Sequence, residues 1–310
     1  MNKTEIKYII VACCTCLRPE TLRKSLETYK KLKKPENIKV DLLVVDNDKE
    51  ASAYDVAREY GAIYFVEEKR GIANARNRVL KEAVNLEATH IAMFDDDGLL
   101  DENWLINHIE FYQNNEVNVV SGPQYVHFDK EYPKYITENN IFKTGTTKKN
   151  GQILKSCATN NVFMQLDIVK EHNILFNAEK YVFMGGEDGD FFSRVTKAGF
   201  ILKFNKNSIV KELIEDNRAN IDWILNRYYY NGYSGGYLKF GDSKDKFKKF
   251  VYLFKTALVY GFDSIFVAPS RLLGKTAYYN VLGMSLKTKG KLEGAFFAKP
   301  LNYYEKITGK

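Results

Sequence analysis

The chain has 310 residues, 45% of them apolar and 27% charged, which allows one large core or two modest ones and excludes a disordered or fibrous protein. Its net charge of +7 is C-terminal: Gly241 to Lys310 carries 13 Lys+Arg against 5 Asp+Glu, leaving 33 against 34 in residues 1–240. Four cysteines, Cys13, Cys14, Cys16 and Cys157, exclude a disulfide framework and point to a reducing compartment.

Tyr8 to Cys14 is a continuous β-rich run, and Pro19 then opens a helical pattern with Leu22, Leu26 and Tyr29 on one face. Val40 to Val45 predicts a second strand, ending in Asp46-Asn47-Asp48. Ala53 to Tyr60 reads as a helix, Ala62 to Val66 as a strand and Gly71 to Leu86 as a helix. His90 to Phe94 is the next strand, followed by three consecutive aspartates, Asp95, Asp96 and Asp97. Asp101 is placed to cap a helix containing Trp104, Leu105, His108, Ile109 and Tyr112, and Val117 to Val120 predicts another strand. Strands this apolar suit a mostly parallel sheet buried on both faces, whose ligands collect at the strands' carboxyl ends. That rule gathers Cys14, Asp46 and Asp95 to Asp97 along one rim.

Beyond this, Pro123 to Ser156 is polar, Lys- and Tyr-rich and aperiodic, a candidate functional loop. Order resumes at Cys157 to Gln165, and Gly185-Gly186-Glu187-Asp188-Gly189-Asp190 leads into a helix over Phe191 to Lys197. Past Ser243, Phe247, Phe250, Val251, Phe254 and Leu258 form a helical stripe flanked by Lys244, Lys246, Lys248, Lys249 and Lys255. Such a stripe fits a helix lying on a membrane surface and equally one docked on the rest of the protein. The charge break gives two domains, 1–240 and a basic, aromatic-rich helical extension 241–310. Neither a signal peptide nor a membrane span is expected, so the chain is expected to work in the cytoplasm.

Three like charges at a strand exit repel one another unless a cation offsets them. Carboxylate oxygens suit Mg²⁺ or Mn²⁺, which keep waters and take substrate phosphates as further ligands. A solvated acidic turn is the plainer alternative. Cys13-x-x-Cys16 has no second pair to complete a zinc site and reads as strand packing. The four histidines, His90, His108, His127 and His172, read as core or surface residues.

The ordered series Thr15-Cys-Leu-Arg-Pro, Val45-Asp-Asn-Asp, Arg70-Gly-Ile-Ala-Asn-Ala-Arg-Asn77, Phe94-Asp-Asp-Asp97 and Gly186-Glu-Asp-Gly-Asp-Phe191 resembles an inverting family 2 glycosyltransferase of the ExoM-like bacterial exopolysaccharide subgroup. The resemblance implies an α/β fold of GT-A type: a Rossmann-like, mostly parallel central sheet with helices on both faces, here followed by C-terminal amphipathic helices. It implies a nucleotide-diphosphate sugar, UDP-sugar first, with Mn²⁺ or Mg²⁺ bridging its diphosphate, and a saccharide acceptor. By the same resemblance Asp97 and Asp95 hold the metal, with Asp95 also placed to reach the ribose and Asp96 beside the nucleotide. Thr15, Arg18, Asp46, Arg70 and Arg76 contact the donor, Asp46 at the uracil. Asp188 is the base and Glu187 orients the acceptor, with Asp190 the rival base. A helix-surface ion pair is the other reading of Arg76. No histidine follows the base to complete the metal shell, and Glu212 in Val210-Lys-Glu212 is the candidate to support the site. Arg218 and Arg227-Tyr-Tyr-Tyr-Asn-Gly232-Tyr-Ser-Gly-Gly236 resemble the subgroup's tail, against a plain reading as helix packing.

The basic aromatic extension adds an anionic membrane surface as partner and makes the acceptor lipid-linked. A sugar nucleotidyltransferase is the enzyme rival, but its glycine-rich first loop is missing from Thr15-Cys-Leu-Arg-Pro. A non-catalytic saccharide-binding protein would have no need of these acids. A near-neutral residue 1–240 argues against nucleic acid.

Overall fold

The computed structural model describes residues 3–143, 147–181, 185–240 and 245–297. Parts of the sequence-predicted loop (144–146) and of the basic extension (241–244 and 298–310) lie outside the described residues. The chain forms two compact units: residues 1–127, 144–182 and 186–213, and residues 128–143, 183–185 and 214–310.

In the first unit, strands β1 (Tyr8–Thr15), β2 (Lys39–Asp46), β3 (Ile63–Val66) and β4 (His90–Asp95) alternate with helices α1 (Pro19–Tyr29), α2 (Tyr54–Glu59) and α3 (Ile72–Asn85). There follow β5 (Gly98–Leu100), α4 (Trp104–Asn114), β6 (Val119–Ser121), β7 (Gln124–His127), β8 (Asn161–Gln165), α6 (Asp167–Lys170), α7 (Glu187–Lys197), β9 (Leu202–Phe204) and β10 (Val210–Leu213); α5 (Lys134–Thr137) belongs to the second unit. Seven strands make one sheet in the order β3-β2-β1-β4-β8-β6-β9, parallel except around β8, which runs against β4 and β6. The continuous apolar runs are explained by burial on both faces. Ile10, Ala12 and Leu43 pack against α3, while Ile9, Val11 and Val44 pack against α1 and α4. β1 is the switch point: β2 lies on one side of it and β4 on the other, so their exits face one crevice. A small second sheet, β5-β10-β7, closes this rim.

Two details differ from the sequence-based expectations. α7 begins at Glu187, one turn before the apolar face, because Gly186 caps it at φ +115°, a region closed to most side chains. Asp101 does not cap α4; its carboxylate accepts from Asn103 N at 3.0 Å, and Asn103 is the cap.

The second unit is built on α8 (Ile221–Phe240), α9 (Lys246–Ile265) and α10 (Lys275–Phe297), with a 3-10 turn at Pro269–Leu273. Gly232 and Gly236 of α8 face the Lys287 and Lys291 carbonyls of α10, and Gly290 and Gly294 of α10 face Tyr229 and Tyr233 of α8. A Cβ at any of the four would overlap the opposite backbone. The constant offset from 232 to 287 and from 236 to 291 means that α8 and α10 run parallel. The compact division therefore falls at Leu213/Ile214, whereas charge alone placed it at 240; α8 is not part of the sheet unit, because its glycines fit α10. Among the described residues no helix is long and apolar enough to cross a membrane.

Candidate active site

Parallel register sets Cys14 of β1 beside Asp95 of β4, so the residues that follow each strand meet. Thr15 Oγ1 donates to Asp96 Oδ2 at 2.8 Å. Leu17 then adopts φ +55°, unusual for leucine, and the turn returns Arg18 to the aspartates. Arg18 Nη1 lies 2.7 Å from Asp96 Oδ1 and Nη2 lies 3.0 Å from Asp97 Oδ2. Asp97 is fixed from behind as well, where its carbonyl accepts from Leu213 N at 2.8 Å. Since Glu212 pairs with Gly98, β10 runs directly alongside the aspartate turn.

A second arginine gathers the other acids. Arg76, on α3 and only 5% exposed, places Nη1 at 2.5 Å from both Glu187 Oε1 and Asp188 Oδ1, and Nη2 at 3.6 Å from Asp95 Oδ1. Thr159, just before β8, holds Asp188 from the far side through its backbone N at 3.3 Å and its hydroxyl at 3.2 Å. Asp95 and Asp188, 93 residues apart in sequence, thus share one guanidinium. Burial pushes the carboxyls of Asp95, Asp96 and Asp188 up to about 6. Neighbouring acids add to the rise, while Arg76 opposes it at Asp95 and Asp188 and Arg18 opposes it at Asp96.

The remaining sequence-predicted residues separate. Asp46 is fully buried: Oδ2 accepts from Ala53 N and Tyr64 OH, each at 2.8 Å, and Oδ1 from Asp48 N at 3.0 Å. Its burial raises its pKa. It organises the loop after β2, in which Asn47 ties Gly71 N and the carbonyls of Glu67 and Lys69 together. Arg70 stays at this surface, with Nη1 2.6 Å from Cys16 Sγ and 3.1 Å from Asn47 O. Asp190, the rival base, is bound by Arg194 Nε at 2.8 Å on its own helix. Arg76 is not the helix-surface pair of the alternative reading, since it is buried and its partners lie on β4 and α7. His90 and His108 are core residues stacked on either side of Phe163, as expected. The Gly232 to Gly236 segment of the resembled tail is helix packing.

Sequence reasoning missed Thr159 and Asn47. Thr159 carries no motif and acts through a contact 29 residues away. Asn47 stood beside the residue singled out and has the three bonds that fix the loop.

Among the described residues no three or more His, Cys, Asp or Glu side chains form a metal cage. The donor set nonetheless fits a hard divalent ion. Asp95 keeps 39% of its side chain exposed beside Asp97, and one or two carboxylates are what Mg²⁺ takes when a diphosphate supplies the other oxygens.

Comparison with known proteins agrees with this geometry. The succinoglycan biosynthesis protein ExoM of Rhizobium meliloti (strain 1021) is 27% identical over 240 residues, 76% of this chain and 76% of that protein. Among solved structures, the mannosyltransferase PcManGT from Pyrobaculum calidifontis, in complex with GDP-Man and Mn²⁺, superposes with a TM-score of 0.62 at 14% identity, covering 96% of this chain and 89% of that one. Residues 1–349 of S. aureus TarS, in complex with UDP, give a TM-score of 0.52 at 13% identity over 93% of this chain and 91% of that one. These two likenesses show the fold, which is of GT-A type. The family model for Glycosyl transferase family 2 matches residues 8–172, more than half of the sequence, and the chain belongs to that family.

Proposed function

We propose that this glycosyltransferase moves a sugar, with inversion, from a nucleotide-diphosphate donor to a saccharide acceptor. UDP-sugar is the first candidate donor, and the acceptor is lipid-linked, at the inner face of a membrane where surface polysaccharide is assembled. The observation that carries the reading is the convergence of Asp95 and Asp188 on Arg76, which sets a diphosphate-side acid beside a proton acceptor.

In this reading the acceptor hydroxyl oxygen attacks the anomeric carbon from the face opposite the diphosphate. A carbon–oxygen bond forms there, the bond to the phosphate oxygen breaks, and the nucleoside diphosphate leaves with the electron pair. Asp188 takes the hydroxyl proton; it is suited to this because Thr159 and Arg76 fix its carboxylate at the start of α7. Glu187, held by the same guanidinium, keeps Arg76 oriented. Asp95 and Asp97 are the residues that would hold Mn²⁺ or Mg²⁺, whose contribution when bound is to offset charge on the leaving diphosphate. Arg70 and the Thr15–Arg18 turn border the nucleotide side.

A thermal-shift screen of UDP-, GDP- and TDP-sugars with and without Mn²⁺ tests the donor, since a ligand bound only by the folded state raises the melting temperature. Asp97→Asn and Asp188→Asn are expected to fold and to lose at least a hundredfold in transfer from the donor so identified. Wild-type transfer by either variant would remove that residue from the reaction. ExoM's link to succinoglycan biosynthesis supports the polysaccharide half of the reading.

A further inference from the structure

α9 has its amphipathicity the wrong way round for water. Phe247, Phe250, Phe254, Leu258, Phe262 and Ile265 follow one helical stripe, and each is 57–76% exposed. The opposite side carries Tyr252, Thr256, Tyr260 and Ser264, and polar groups of α9 meet α10: Thr288 Oγ1 donates to Asp263 Oδ2 at 2.8 Å, and Ser264 Oγ lies 3.1 Å from Ser285 Oγ. Thr256 is the one buried residue of the helix. The turn that follows continues the apolar surface, with Leu272 90% and Leu273 79% exposed. An isolated exposed leucine is ordinary, but a contiguous aromatic strip of this length marks a surface built to be covered.

The geometry points to α9 and the Pro269–Leu273 turn as an in-plane anchor, inserted by its phenylalanine stripe into the acyl boundary of an anionic bilayer. Charge selects this occupant. Lys246, Lys248, Lys249 and Lys255 flank the strip, Arg271 sits in the turn, and the only acid within α9, Asp263, is turned inward to Thr288. A second copy of the chain would bring lysines against lysines, whereas acidic headgroups complement them, each near-surface lysine contributing roughly fivefold in affinity. With no helix among the described residues able to span a bilayer, the stripe lies along the surface. The inference gives residues to the membrane half of the proposed function and rests on that half alone.

The test is co-sedimentation of the full chain with phosphatidylcholine vesicles, with and without 30% phosphatidylglycerol. Expected are binding to the phosphatidylglycerol vesicles, at least tenfold weaker binding in high salt, and loss of binding by Phe250→Ser/Phe254→Ser/Phe262→Ser, whose positions are exposed and should not disturb folding. Retention of the UDP plus Mn²⁺ thermal shift by that variant would show the transferase unit intact, so failure here is separable from failure of the catalytic reading. Vesicle binding unchanged by the triple substitution, or absent from wild type, overturns the inference. So does conversion of a wild-type dimer to monomer by the same substitutions without any effect on vesicles, which would assign the face to a second copy.

Discussion

Arg76 concentrates the electrostatics of the site in one side chain. Three carboxylates depend on it, and two of them, Glu187 and Asp188, would lie side by side at a helix start without it. Arg76→Ala is expected to cost about 3–5 kcal/mol in urea unfolding, the usual penalty for removing one partner of a buried ion pair. Arg76→Lys should recover part of the stability but lose the link to Asp95, because a single ammonium replaces Nη1 and leaves nothing in the place of Nη2. His90 and His108 give a separate prediction. Burial lowers the His90 imidazole from 6.5 to about 3 and the His108 imidazole to about 4. The unfolded chain therefore binds more protons there, and their contribution to stability is lost as pH falls below 6.5. The raised carboxyls of Asp95, Asp96 and Asp188 act in the opposite direction between about 4 and 6, so the histidine effect is read by difference. Between pH 7 and 5, wild type should lose about 2 kcal/mol more than His90→Phe, measured by denaturant unfolding at both values.

At the scale of elements, β1, β2 and β4 were legible because a strand buried on both faces must be apolar throughout, and the rim followed from their parallel order. The partners of Arg76 were not. Periodicity assigns a residue to a face of its own helix, while Glu187 lies 111 residues away and reaches Arg76 only through the packing of α7. Asp46 shows a related limit: an acid at a strand end is equally suited to hold a ligand or its own loop, and its bonds from Ala53 N and Tyr64 OH could not be read from sequence. Thr159→Val is expected to lower kcat about tenfold with little change in donor affinity, because it loosens Asp188 and not the nucleotide side. Unchanged kcat would show that the hydroxyl is dispensable. The glycines of α8 were visible as a pattern, yet their meaning needed α10. Gly232→Ala should destabilise the helical unit by about 1–3 kcal/mol, since the new methyl meets backbone and not a flexible side chain. Gly235→Ala, with open space around it, should be neutral or stabilising, and comparing the two melting temperatures checks the seam.

Across the molecule, chemistry and charge are divided between the two compact units, the acids in the sheet unit and the exposed basic and aromatic strip in the helical one. Composition already showed the imbalance but drew the line 27 residues late, after α8 instead of before it. UDP with Mn²⁺ at a hundredfold excess over Kd should stabilise the fold by about 2.7 kcal/mol, an effect chelation should abolish if the acids hold the ion. The parallel course of α8 and α10 has a last consequence. Two rods pointing the same way cannot be joined by a hairpin, so the chain must travel back along their full length before the second can start. α9, about 30 Å long, makes most of that return and the Pro269–Leu273 turn leads into α10. Evolution is therefore not free to discard it as a dispensable tail: trimming the segment would strand α10 at the wrong end of its groove, and losing the sticky strip would mean repainting its residues while keeping the helix.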